Sequence, residues 1–71
     1  MTDTQMLRDA IKESGITLTY ISEKMGLTRE GLYNKLNGTS EFKASEIVKL
    51  STLLHLSAET REQIFFAKTV I

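Results

Sequence analysis

Apolar residues recur along the chain at spacings of three and four, and short polar or glycine-containing breaks separate the runs. That period belongs to one face of an α-helix, not to a strand, where apolar and polar positions alternate. A first helix is predicted over about 3–14, with Leu7, Ala10 and Ile11 as its stripe. Thr2 can cap it, with Gln5 three positions on as the other half of a capping box. A second covers about 18–25, capped by Thr17, with Leu18, Ile21 and Met25 on one face and the small Ser22 beside them. A third covers about 29–36, capped by Thr28 and anchored by Leu32 and Leu36. A fourth covers about 44–55 and carries Ile47, Val48, Leu50, Leu53 and Leu54, the most apolar set, which predicts a central position. A fifth follows Ser57 as its cap and carries Ile64, Phe65 and Phe66. Gly15, Gly26 and Gly38 fall where the periodic runs stop, as expected of helix C-caps. The expected fold is all-α, a compact five-helix domain.

Composition narrows the picture. The 71 residues suffice for one small domain spanning 1–71, with no linker, repeat or low-complexity tract. Hydrophobic residues at 41% and charged residues at 25% are ordinary for a globular chain. There is no cysteine, which excludes disulfides and thiolate metal sites. His55 alone cannot build a common zinc site, and as a helix-terminal cation it has a simple structural reading. Asp3 and Asp9 are the only aspartates, and no glycine-rich phosphate loop appears. An enzyme is therefore not expected, nor a catalytic residue, metal, cofactor or small-molecule ligand. No apolar run approaches the roughly 20 residues of a membrane span. The opening Met1-Thr2-Asp3-Thr4 lacks the features of a secretory signal, so a cytoplasmic location is expected.

The segment 17–38 carries the functional expectation. Two short helices are joined by Gly26-Leu27-Thr28, where the glycine can turn the chain, Leu27 can plug the gap and Thr28 can cap the next helix. Such a pair is a helix-turn-helix unit, whose second helix enters the major groove of duplex DNA. At about 100° per residue, Leu32 and Leu36 define the buried side of that helix. Glu30, Asn34 and Asn37 then point outward, flanked by Gly31 and Tyr33, with Arg29 reaching forward from the first turn. Arg pairs with guanine, Asn with adenine, and Glu accepts from the cytosine amino group. Gly31 would let the backbone approach DNA closely. Thr17, Thr19 and Asn37 could bond phosphates and Lys43 could add a charge contact, with Lys24 and Lys35 as weaker candidates. The formal net charge of zero opposes this reading, although the field at the contacting face matters more than the total.

The stretch LTYISEKMGLTREGLYNKLNG resembles the Cro/phage-repressor (XRE-type) helix-turn-helix family, and FKASEIVKLSTLLHLSAE resembles that family's next helix and the approach to a fifth. REGLYNKLNG and SEFKASEIVKL are most similar to small prophage-encoded repressors. The resemblance covers about residues 5–66. It implies a lambda-repressor-like domain, a homodimer and a double-stranded DNA operator with two half-sites. By position it implies base contacts from Arg29, Glu30 and Asn34, and phosphate contacts near Thr17, Asn37 and the loop before the fourth helix. Many members carry an acidic residue in place of Leu36 and an apolar one in place of Lys35. That departure leaves open whether Tyr33 or Lys35 faces the groove.

Phe65 and Phe66 are adjacent and cannot both face one core. Phe66 with Val70 and Ile71 would form an apolar patch, offered as a dimer interface. The alternative function is a protein-interaction module on the same scaffold, such as an antitoxin or antirepressor, which the neutral charge favours.

Overall fold

The computed structural model describes residues 1–67. They form α1 (Thr4–Ser14), α2 (Leu18–Met25), α3 (Arg29–Leu36), α4 (Ala44–Leu53) and α5 (Ala58–Phe65), with no strand among the described residues. The fold is all-α, as the apolar spacing predicts. Val70 and Ile71, the outer part of the predicted apolar patch, lie outside the described residues.

Hydroxyl caps start three helices where expected. Thr17, Thr28 and Ser57 accept from the backbone N–H groups of Tyr20, Gly31 and Thr60. The first helix differs: its cap is Asp3, whose carboxylate accepts from Met6 N–H at 3.0 Å, and Thr2 lies outside. A carboxylate satisfies the free N–H and also complements the positive helix end, which a hydroxyl cannot do. The Asp3 N–H donates to the Ile64 carbonyl at 2.6 Å and ties the start of α1 to the end of α5.

The fourth helix also stops earlier than its periodicity suggests, at Leu53 and not His55. His55 takes the left-handed backbone region at φ 53°. The Leu56 N–H returns to the Ser51 carbonyl at 3.0 Å and the His55 N–H to the Thr52 carbonyl at 3.2 Å. This is a Schellman ending with histidine in the place glycine usually takes. Leu56 packs against the core beyond it, the apolar contact that stabilises such an ending.

Every helix contributes to one core. Leu7, Ile21, Leu32, Leu36, Leu50 and Ile64 are fully buried. Phe42, from the α3–α4 loop, meets Phe65 edge-on at 5.5 Å between ring centroids. Removing one such side chain, as in Leu50→Ala, costs about 2–5 kcal/mol, a large share of a small domain's stability.

Two expectations for α4 are corrected. It is not the hub: α2 packs on both α3 and α4, and α1 on both α3 and α5. Val48 does not join the core but is 61% exposed, because Leu50 and Leu54 set the buried face. Phe65 is buried while Phe66 is 51% exposed, the split that adjacency requires. Among the described residues no helix is long and apolar enough to cross a membrane.

Candidate nucleic-acid interface

The turn between α2 and α3 is closed by two backbone hydrogen bonds that return to the end of α2. Gly26 sits at φ 68°, where a Cβ would be strained, and its N–H donates to the Glu23 carbonyl at 3.2 Å. The Leu27 N–H donates to the Ser22 carbonyl at 2.9 Å, and its side chain packs against the core. Thr28 then opens α3 directly.

Leu32 and Leu36, each 1% exposed, fix the rotation of α3. Arg29, Glu30, Tyr33, Asn34 and Asn37 are all exposed along its other side. Among the described residues, the α3 side chains that hydrogen-bond internally are Lys35 and Asn37. Arg29, Glu30, Tyr33 and Asn34 therefore present their polar groups outward without internal partners.

Lys35 points elsewhere. Its Nζ lies 2.9 Å from Glu46 Oε1 on α4 and donates to the Glu41 carbonyl at 2.9 Å. The same ammonium stands 5.9 Å from the Phe42 ring centroid. The two side chains of the ion pair are only 11% and 12% exposed. Of the two residues left open by sequence, Tyr33 stands on the free side and Lys35 is turned inward.

Glu46 also accepts from the Lys43 backbone N–H at 2.8 Å, half of a capping box at the start of α4. Burial pushes its carboxyl pKa up, but the Lys43 N–H and the Lys35 ammonium outweigh burial and hold it below its ordinary value. The Lys43 side chain is exposed, beside the loop that Lys35 and Glu46 pin. Lys24 instead stands over the Tyr20 ring at 5.5 Å.

Thr17 and Thr28 use their hydroxyl oxygens as cap acceptors, at 3.1 and 3.0 Å. A hydroxyl also carries a hydrogen, which both exposed residues can still donate to an anion. Thr19 is exposed on the first turn of α2, with its carbonyl accepting from Ser22. At Gly31 an added Cβ would lie 3.1 Å from Thr28 Oγ1, so this glycine also protects the cap.

Sequence reasoning missed Arg8. Its guanidinium donates to Asn37 Oδ1 and, at 3.3 Å, to the Leu36 carbonyl. Nothing in the local pattern of α1 signals a contact 28 and 29 residues away. It missed Glu46 for the same reason, since an acidic residue in a first turn is explained by the helix dipole alone. Val48 was missed as a surface residue. It lines a shallow depression with Ala44, Ile47, Arg61, Glu62 and Phe66.

No family model, curated protein or solved structure matches the chain.

Proposed function

We propose that the chain is a sequence-specific DNA-binding transcription regulator of the phage-repressor type, with α2 and α3 as a helix-turn-helix unit. The observation that carries this reading is the outward row Arg29, Glu30 and Asn34 on α3, exposed and without side-chain partners among the described residues, on a helix whose rotation two buried leucines fix. Those side chains offer the donors and acceptors that base edges require. Phosphate contacts come from Thr17, Thr19, Thr28, Asn37 and Lys43 around the row. As a dimer on a two-half-site operator it would act by occupying the site, in the cytoplasm, with α3 in major grooves about 34 Å apart.

The test is selection of duplexes from a random pool, followed by an NMR titration with the enriched sequence. Shifts concentrated on Thr28 to Asn37, weakened steeply by salt, support the reading. Arg29→Ala should then cost about 1–3 kcal/mol at one base position. An empty selection would sink it.

The exposed pair Val48 and Phe66, with the zero net charge, favours a second reading as a protein-interaction module. In the DNA-binding reading, Phe66 and Val48 are the dimer surface. Sedimentation separates the two. Phe66→Glu should dissociate a homodimer and weaken operator binding together, whereas a monomeric wild-type chain favours the interaction module.

A further inference from the structure

Arg8 and Asn37 form the one hydrogen bond between two side chains that joins α1 to the end of the proposed reading helix among the described residues. A guanidinium only donates, so the amide must turn its oxygen toward Arg8. The Asn37 side chain is planar, and fixing its oxygen fixes its nitrogen. Among the described residues nothing accepts from Nδ2, so both of its N–H groups are left for an acceptor outside the protein. Asn37 is exposed and falls on the outward row, in register with Glu30 and Asn34. A phosphodiester oxygen is an acceptor only, and so matches that presented edge. Lys12, one turn along α1, lines the same shallow depression as Arg8, which adds a second cation beside the site.

We propose that Arg8 is a positioning residue for binding to the DNA backbone: it locks Asn37 with its amide N–H groups outward, as a phosphate donor. This rests on the DNA-binding reading above and assigns a residue to it that the sequence did not reveal. Arg8 acts through Asn37, and its bond to the Leu36 carbonyl also complements the negative end of α3.

The test separates orientation from stability. Asn37→Asp keeps an oxygen for Arg8 and strengthens the pairing, so thermal stability should equal or exceed that of the wild type. The same change replaces the outward N–H groups with a carboxylate oxygen. Affinity should fall about tenfold or more, equally for the selected duplex and for a random-sequence duplex, because phosphates carry no sequence information. Phosphate-ethylation interference supplies the second readout. In each half-site, one phosphate that matters to the wild type should drop out of the footprint in both Asn37→Ala and Arg8→Met. Wild-type affinity in Asn37→Asp, or an unchanged footprint in Arg8→Met, would overturn this proposal alone. A wild-type chain that binds neither duplex would overturn the DNA-binding reading and this proposal with it.

Discussion

Lys35 and Glu46 join the proposed reading helix to α4 through a largely buried ion pair, with Nζ 2.9 Å from Oε1. The same lysine holds the Glu41 carbonyl, so one side chain fixes both ends of the loop between the helices. Removing one partner leaves the other charged, dehydrated and unpaired, which costs more than the pair contributes. Lys35→Met should lower unfolding free energy by about 2–3 kcal/mol in urea titration. Glu46→Gln keeps an oxygen for the Lys43 N–H and should cost less. A loss in Lys35→Met no greater than that of an exposed lysine would show that the pair does not pin the loop.

The same carboxyl gives a pH dependence whose sign follows from its surroundings. Its folded-state pKa lies below the ordinary value of 4.5. Its contribution is therefore fully present above that value and is lost as pH falls through the folded pKa. The stability gap between wild type and Glu46→Gln should be constant from neutral pH to about pH 5 and shrink below it. Urea midpoints measured down the acid range test this. A gap that widened in acid would reverse the assigned cause.

The parts of this fold that sequence exposes are those set by near neighbours. Thr17, Thr28 and Ser57 cap their helices three residues on, and Gly26 turns the chain within the same segment. Leu32 and Leu36 set the phase of α3, from which the exposed row follows. What stayed hidden depends on distant partners. Lys35 reads as one more surface cation until Glu46 is brought to it, and Asn37 reads as free until Arg8 is. Val48 fits the apolar period of α4 and is nonetheless exposed, because period alone does not say how wide a face the neighbours cover.

His55 offers a direct test of local strain. At φ 53° its Cβ is crowded by the backbone, although histidine tolerates this region better than branched residues do. His55→Gly should relieve that crowding and raise stability by about 0.5–1 kcal/mol, net of glycine's greater unfolded-state entropy. His55→Ala should give no such gain. A destabilised glycine variant would mean that the imidazole contributes more than the strain removes.

In the proposed DNA-binding reading, Thr28 would join stability and phosphate binding in one hydroxyl, and substitutions can pull the two apart. Its oxygen accepts the Gly31 N–H at 3.0 Å, and among the described residues its hydrogen has no acceptor, which leaves it for a phosphate in that reading. Thr28→Ala loses both and should cost about 1 kcal/mol of stability along with affinity. Thr28→Ser keeps both and should resemble the wild type. Thr28→Asp is the informative case. A carboxylate caps a helix as well as a hydroxyl does and suits the positive helix end, so the domain should remain as stable. Yet it has no hydrogen to donate and sets a negative charge where the phosphate would lie. Duplex affinity should fall about tenfold or more while the urea midpoint holds. Undiminished binding by Thr28→Asp would place the start of α3 away from the DNA backbone.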